Sequence, residues 1–395
     1  MTKLSRRISG INEAGGDGWD LYVRARDMAA AGEPVIQLTI GEHDIRTDPA
    51  ILDAMHRAAT AGNTGYTFGP GLPPLRAAIA ERIAARTGTP TGPENILVVT
   101  GGQAGLFAAL TLACDPGDVA LHIDPYYATY PGTIRSTSAI PRAVIARPED
   151  GFEPRAEAVE AAADGARALL LNSPNNPTGA VYSEATIAAL GAVARARDLW
   201  ILSDEVYDSQ VWEGRHLSPR ALPDLTDRTL AVGSMSKSHA MTGSRVGWVC
   251  GPAEAIEAMT HLATCTTYGL PGFIQEAALH ALKAGDDFEA GIAEPFARRR
   301  RIALDLLSRQ QAVTAAPPRG GMYVMLDIRP TGLTGLAFAE ALLDEERIAV
   351  MPGESFGAGS AGHIRIAMTV ADAAFADAMT RLLAFATRRA AAPAT

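Results

Sequence analysis

The chain has 395 residues, of which 47% are apolar and 20% are charged, as is usual for a globular protein with room for two domains. Its net charge of −9 argues against a nucleic-acid partner, because phosphate binding requires a basic face. No apolar run is long enough to span a membrane, and the N-terminus lacks the apolar stretch of a secretory signal.

Cysteine and histidine are too sparse and scattered to indicate a metal or disulfide site. The 3 cysteines lie at wide spacing, which suits neither a disulfide framework nor a zinc pattern. The 8 histidines include no HExxH pair, so we expect no catalytic metal. These features favour a cytoplasmic protein.

Short apolar runs alternate with Ala-rich amphipathic stretches from about residue 95 to 250. The stretches, such as residues 183–198, have apolar residues three and four apart and predict helices. Alternating strands and helices are typical of a mostly parallel sheet covered on both faces. The runs that predict buried strands are 96–100, 119–123, 168–172, 200–206, 229–234 and 246–251.

The two ends of the chain predict a second, smaller α+β domain. From about residue 285 a long Arg- and Glu-rich helical region precedes the apolar run 321–328. The run 35–40 near the N-terminus is expected to complete the same domain. We therefore predict a large domain over residues 46–284 and a small domain made of residues 1–45 and 285–395.

Four polar motifs follow predicted strands, where ligands bind in open α/β sheets. They are TGGQAG (100–105), NSPNNPTG (172–179), SDEVY (203–207) and SMSKSHAMTGSRVGW (234–248). Adjacent glycines before a helix predict either a phosphate seat or a tight turn. The Asn–Pro loop predicts either a donor to a ligand oxygen or a structural turn.

The other two motifs carry an acid and a base. Asp204 ends an apolar strand, so it predicts either a carboxylate paired with a cation, such as a protonated pyridine nitrogen, or a helix cap. Lys237 lies among hydroxyl residues with Arg245 downstream. It predicts either a lysine that forms an imine with pyridoxal 5'-phosphate or an exposed lysine in a polar loop.

Taken together, in this order and at these separations, the motifs resemble the class I and II aminotransferases. The resemblance covers about residues 30 to 385. It implies the type I fold of pyridoxal-phosphate-dependent transferases, with a seven-stranded, mostly parallel α/β sheet sandwiched by helices and a smaller α+β domain. It also implies an enzyme of amino acid metabolism that moves the amino group of an L-amino acid to a 2-oxo acid, pyruvate or 2-oxoglutarate.

The resemblance also assigns roles to individual residues. It implies that Lys237 is the cofactor-binding lysine and general base, that Asp204 pairs with the pyridine nitrogen, and that Tyr207 is the third catalytic residue. The other implied cofactor contacts are Gly101, Gly102, Gln103, Ser234 and Arg245 at the phosphate, Asn176 with Tyr207 at the ring 3-oxygen, Tyr127 stacked on the ring, and Tyr66, which reaches the phosphate of the neighbouring subunit of a homodimer.

For the substrate, the resemblance implies that Arg365 clamps the carboxylate, assisted by Asn176 and the Gly41 backbone. Several stretches look closest to bacterial arginine–pyruvate transaminases; they are 18–25, 267–275, 320–333 and 361–366. A cationic side chain would need a carboxylate partner, and an aromatic one would use aromatic residues. The candidates are Asp20, Glu42 and Asp44 for the first case, and Trp19, Tyr22 and Tyr268 for the second.

Two features extend or depart from the family pattern. The family tends to have cis peptides before prolines in these loops, and Asn176–Pro177 is our candidate. His43 and Arg46 stand where proline and an apolar residue are commoner, and we expect both near the substrate entrance.

Three other functions remain as alternatives. A pyridoxal-phosphate C–S β-lyase would use the same site. A non-catalytic regulator with this fold would need an added DNA-binding region, and no basic helix-turn-helix pattern is found at the N-terminus. A dinucleotide oxidoreductase would need a GxGxxG motif after a first strand, which the sequence lacks.

Overall fold

The computed structural model describes residues 2–12, 18–67 and 69–391. Its strands are β1 Ile36–Gln37, β2 Ile96–Val99, β3 Val119–Asp124, β4 Ile140–Ile145, β5 Ala166–Asn172, β6 Trp200–Asp204, β7 Thr229–Ser234, β8 Gly247–Cys250, β9 Thr314–Ala315, β10 Tyr323–Asp327, β11 Ile348–Ala349, β12 Met351–Pro352 and β13 His363–Ala367. Its α-helices are α1 Arg6–Ser9, α2 Trp19–Ala30, α3 Pro49–Thr60, α4 Pro73–Thr87, α5 Gly102–Ala113, α6 Tyr130–Ser136, α7 Ala156–Ala162, α8 Glu184–Ala196, α9 Met235–Ser238, α10 Ala253–Thr266, α11 Gly272–Leu282, α12 Asp286–Ser308, α13 Gly335–Glu346 and α14 Asp372–Ala390.

The largest sheet has seven strands in the order β2-β8-β7-β6-β5-β3-β4. Neighbours from β7 to β4 pair in parallel, whereas β8 is antiparallel to both β7 and β2. Because β8 reverses the direction, β2 again points the same way as β7. The prediction of a mostly parallel α/β sheet covered by helices is confirmed.

Helices cover both faces of this sheet because its strands are apolar on both faces. Along β5, Ala168 and Leu170 pack with α5 and α10, whereas Leu169 and Leu171 pack with α7 and α8. Helix α8 begins directly after Ser183, whose side chain accepts a hydrogen bond from the Thr186 amide. The predicted helical stretch 183–198 therefore begins at the residue that caps the helix.

A second core lies under a four-stranded sheet of order β12-β13-β10-β9. Buried residues of α2, α12, α13 and α14 form one hydrophobic cluster with this sheet. Strand β1 pairs in parallel with β11, so the segment near the N-terminus joins the C-terminal part of the chain. These contacts support the proposed two-domain division, but the boundaries near residues 45 and 285 stay a prediction.

Strand β4 at the edge of the large sheet was not among the predicted strands. Its residues are mostly exposed or half-buried, and it includes Pro141 and Arg142. Such a strand has no continuous apolar run, because an edge strand is covered on fewer sides.

None of the helices in the described ranges is long and apolar enough to cross a membrane.

Candidate active site

The carboxyl ends of four parallel-running strands open onto one cavity of about 220 Å³. Asn172 ends β5, Asp204 ends β6 and Ser234 ends β7, while Gly102 follows β2 and begins α5. Twelve of the fourteen predicted site residues line this cavity: Trp19, Gly41, Gly102, Gln103, Tyr127, Asn176, Asp204, Tyr207, Ser234, Lys237, Arg245 and Arg365.

Lys237 lies in the short helix α9, directly after the end of β7. Ser234 caps this helix, since its hydroxyl accepts a hydrogen bond of 3.1 Å from the Ser236 amide. The Lys237 Nζ donates to the Gly41 carbonyl. Burial lowers the pKa of Lys237 from 10.5 to about 8, with Arg365 acting in the same direction. The amine is therefore far easier to deprotonate near neutral pH than an exposed lysine.

Asp204 is a buried carboxylate without a cationic side chain bonded to it among the described residues. The Tyr130 hydroxyl donates to its Oδ2 at 2.6 Å, and the Val206 amide lies 3.3 Å from its Oδ1. Burial raises the pKa of Asp204 to about 6, and the Tyr130 hydrogen bond opposes this rise. A cation bound beside Asp204 would stabilise the ionised carboxylate.

The start of α5 has the features that suit a bound anion. Gly101 has a φ of +83°, and a Cβ atom at this position would lie 2.3 Å from the Arg245 Nη2. The guanidinium therefore rests directly against the glycine backbone, beside the amides of the first helical turn, which have no intrahelical partner. The Ser234 hydroxyl lies 3.0 Å from the Ser236 hydroxyl at the same end of the cavity.

Two more cofactor candidates line the cavity near the start of α5. The Gln103 Nε2 donates to the Thr133 hydroxyl at 2.5 Å, and its Oε1 accepts from Thr129 at 3.2 Å. The Tyr127 ring meets the Tyr130 ring edge-on, with centroids 5.7 Å apart. These contacts fix both side chains from the α6 side of the cavity.

Arg365 on β13 is a buried cation that faces the same cavity. Its Nη1 donates to the Asn176 Oδ1 at 2.8 Å, and its Nη2 donates to the Thr39 carbonyl. Its Cζ lies 4.3 Å from the Tyr323 ring centroid and 4.4 Å from that of Phe356. The Arg365 Nε is buried and has no hydrogen-bond partner within the described ranges. This unused donor is suited to a further acceptor, such as a carboxylate.

Tyr323 connects the two sides of the cavity. Its hydroxyl lies 3.1 Å from that of Tyr207 and 3.5 Å from the Asn176 Nδ2. A Cβ atom at Gly41 would lie 1.8 Å from the Tyr323 hydroxyl, so only glycine fits there. The peptide bond Asn176–Pro177 is cis, which confirms that prediction.

Two of the fourteen predicted residues lie outside the set that lines the cavity. Gly101 lies behind it, against Arg245. The Tyr66 side chain is 90% exposed, and its ring meets that of Tyr268 edge-on at 5.2 Å. Within one chain Tyr66 is therefore on the surface, and its role at a neighbouring subunit stays a prediction.

The structure also separates the candidates for the substrate side chain. Trp19 borders both this cavity and an adjoining, larger one of about 850 Å³. Asp44 is already paired with Arg299 at 2.6 Å, so it is a poor partner for a substrate cation. Glu42 accepts from the Thr242 hydroxyl at 3.1 Å and is close enough to act on the charge of Lys237.

Three residues of the site were missed in the sequence. They are Tyr130, Tyr323 and Phe356. Tyr130 is one of three tyrosines in DPYYATY, and Tyr323 is the single tyrosine of GGMYVM. Neither string shows whether its tyrosine reaches the site. In the described part of the chain, no group of three or more His, Cys, Asp or Glu side chains is placed to hold a metal ion.

The chain is similar to known aminotransferases along almost its whole length. Residues 33–382 match the family model described as aminotransferase class I and II. The chain is 40% identical over 380 residues to an arginine–pyruvate transaminase of Pseudomonas aeruginosa, which covers 96% of each chain. It is 35% identical to an aspartate/prephenate aminotransferase of Thermus thermophilus, over 96% of this chain and 98% of the relative.

Solved structures show the same fold. Aspartate aminotransferase from Thermus thermophilus with maleate superposes with a TM-score of 0.90 at 33% identity, over 97% of this chain and 100% of that one. Aspartate aminotransferase from Thermotoga maritima superposes with a TM-score of 0.91 at 30% identity, over 97% and 99% of the two chains.

Proposed function

The chain belongs to the class I and II aminotransferase family, and from this premise we propose that it moves the amino group of L-arginine to pyruvate at the Lys237 site. The chain is a pyridoxal-phosphate-dependent aminotransferase. The observation that carries the proposed site is a half-buried amine with a lowered pKa, in one cavity with a buried carboxylate and a buried guanidinium.

The residues around Lys237 fit pyridoxal 5'-phosphate. Arg245 and the first amides of α5 suit its phosphate, and a side chain at Gly101 would displace the Arg245 guanidinium. The buried carboxylate of Asp204 suits a protonated pyridine nitrogen, and Tyr207 with Asn176 suits the ring 3-oxygen. When bound, the cofactor supplies an aldehyde that holds the amino group and a ring that takes up electrons.

The protein's own groups then have distinct tasks. With the cofactor bound, the neutral Lys237 amine would accept a proton from the substrate α-carbon, and the resulting ammonium would donate it to the cofactor carbon that carries the aldehyde. Asp204 keeps a proton on the ring nitrogen by stabilising the positive charge there. Arg365 orients the substrate through its carboxylate, and the buried walls formed by Tyr323 and Phe356 exclude water from this ion pair.

Arginine is proposed as the amino donor because of the 40% identity to an arginine–pyruvate transaminase. Within this chain, Glu42 is the candidate partner for a substrate guanidinium, since Asp44 is paired with Arg299. Trp19 is proposed to border the side chain of the substrate, since it lies between the two cavities.

A homodimer in the cytoplasm is part of the same proposal. Tyr66 is 90% exposed on one chain, and in a dimer it would supply a hydroxyl to the phosphate seat of the partner. Replacing Tyr66 with Phe should weaken cofactor binding without changing the fold. Sedimentation of the purified protein as a monomer would refute the dimer.

The function is tested by adding single L-amino acids to the cofactor-loaded protein and recording its visible spectrum. We expect arginine to convert the band of the lysine-bound cofactor into that of the aminated cofactor, and pyruvate to reverse the change. Lys237→Ala should lose the visible band and turnover, whereas the exposed Lys283→Ala should keep both.

Several outcomes would contradict the proposal. Conversion by other amino acids but not by arginine would refute the substrate. Release of pyruvate and ammonia from cystathionine, with no oxo-acid acceptor, would support the β-lyase alternative. Steady turnover by Lys237→Ala would refute the site.

A further inference from the structure

Residues 41–47 lie across the loop that carries Lys237, and we call this segment the strap. The strap makes four hydrogen bonds with this loop: it accepts in two of them and donates to loop carbonyls in the other two. They are the Gly41 carbonyl with the Lys237 Nζ, the Glu42 Oε1 with the Thr242 hydroxyl at 3.1 Å, the His43 Nε2 with the Lys237 carbonyl at 2.9 Å, and the Thr47 hydroxyl with the Ala240 carbonyl at 2.7 Å.

His43 makes the contact that reaches the lysine backbone. A carbonyl oxygen can only accept, so the Nε2 of His43 must carry the hydrogen. Burial and the nearby charge of Lys237 lower the pKa of His43 to about 4, so the ring is neutral near pH 7. The ring also packs edge-on against Phe296, with centroids 5.2 Å apart. His43 is therefore a fixed, neutral donor.

The Lys237 carbonyl needs such a donor. Helix α9 has only 4 residues, so its last carbonyls have no partner within the helix. Gln210 Nε2 also approaches the same oxygen, at the longer distance of 3.3 Å. The Gly41 contact uses the Lys237 amine, whereas the His43 contact uses the Lys237 backbone and leaves the amine free to react.

The strap is itself anchored on the other side. The Asp44 carboxylate receives two hydrogen bonds from Arg299, of 2.9 Å and 2.6 Å. The Arg299 side chain is only 4% exposed, and it also donates to the Met368 carbonyl at 2.9 Å. Because Asp44 follows His43 directly, the imidazole is held from a rigid base beside the four-stranded sheet.

We propose that His43 is a positioning residue for amino transfer, because its imidazole holds the backbone of Lys237 and so keeps the amine at a constant place in the cavity. This inference rests on the proposed role of Lys237. His43 does not border the cavity in the described part of the chain, so it acts through Lys237 and not on the substrate.

The test compares three substitutions in the full-length, cofactor-loaded protein. His43→Leu keeps most of the volume against Phe296 but removes the donor. His43→Gln keeps a donor at the position of Nε2. His43→Asn is equally polar, but its amide is too short to reach the carbonyl, so it replaces the Leu variant if that variant does not fold.

We expect His43→Leu and His43→Asn to lower kcat by about three- to tenfold, as for the loss of one neutral hydrogen bond. KM should stay within about twofold, because substrate contacts do not change. The visible circular dichroism of the bound cofactor, which reports how rigidly the lysine holds it, should fall in the same variants. His43→Gln should restore both kcat and the dichroism.

An unchanged kcat in both donor-free variants, His43→Leu and His43→Asn, would overturn the inference. A His43→Gln variant as slow as His43→Leu would also overturn it, because the ring would then act only by packing. These results are separable from failure of the proposed function. Turnover by Lys237→Ala refutes the proposed function, whereas an inactive Lys237→Ala with a fully active His43→Leu refutes only the positioning role.

Discussion

Replacing Gly101 with alanine should weaken cofactor binding in addition to straining the backbone. The new Cβ atom would lie 2.3 Å from the Arg245 Nη2 and 2.8 Å from its Cζ. The end of an arginine side chain can move away, but it then leaves the proposed phosphate seat. Charge-assisted hydrogen bonds contribute about 1.5–3 kcal/mol, so the dissociation constant should rise about 10- to 150-fold.

Gly117→Ala is the matched control. Gly117 has a φ of +95°, close to the +83° of Gly101, but apart from Gly117 and its two chain neighbours no described residue has an atom within 4 Å of the place that its new Cβ would take. Both variants therefore carry backbone strain of about 1–3 kcal/mol, which urea unfolding measures. Titrating cofactor-free protein with pyridoxal phosphate then isolates the contact. Affinities within about twofold of each other in the two variants would refute this account of the seat.

Three further predictions concern one buried and two half-buried charged groups. Since the pKa of Lys237 is about 8, about one amine in ten is neutral at pH 7. The rate at which cofactor-free protein captures pyridoxal phosphate should therefore rise with pH and level off above about pH 8. A rate that still rises tenfold per pH unit at about pH 9 would contradict this prediction. Arg365→Met should lower kcat/KM by about 30- to 3,000-fold, as for a buried charge pair that loses one partner, while the visible band is kept; an unchanged KM for amino and oxo acids would count against the clamp. Burial alone would raise the pKa of Asp208, but Arg82 and Arg86 hold it well below its usual range, so Asp208→Asn should cost about 3–5 kcal/mol of unfolding free energy at pH 7. The contribution of this carboxylate is complete above its unfolded pKa of 3.8 and is lost as the pH falls from there through its lower folded pKa. Equal urea midpoints for the two proteins at about pH 7 would refute the third prediction.

The sequence was most informative where burial is complete. Strands β5, β6 and β7 are covered on both faces, so they appear as continuous apolar runs that end in Asn172, Asp204 and Ser234. Since parallel strands bring their carboxyl ends to one edge, the motifs after these runs had to meet. Strand β4 lacks such a run because it lies at the edge, and it was missed for that reason.

Contacts between distant parts of the chain were beyond sequence reasoning. Tyr130 binds Asp204 across 74 positions, and His43 binds the Lys237 carbonyl across 194. Neither residue stands in a motif that specifies its partner, since each pairing depends on how α6 or the strap packs on the sheet. His43 was expected near the substrate entrance, whereas its ring is turned toward the lysine loop.

The Thr39 carbonyl accepts a hydrogen bond from the Arg365 guanidinium, and this contact affects which compounds the enzyme rejects. A ligand that engages Arg365 through that nitrogen must compete with a peptide oxygen already in place. A primary amide or an ester offers an oxygen no better than the one it displaces, whereas a carboxylate adds a full negative charge. Free amino acids should therefore be accepted and their amides, esters and C-terminally extended peptides refused, before any contact with the side chain is made.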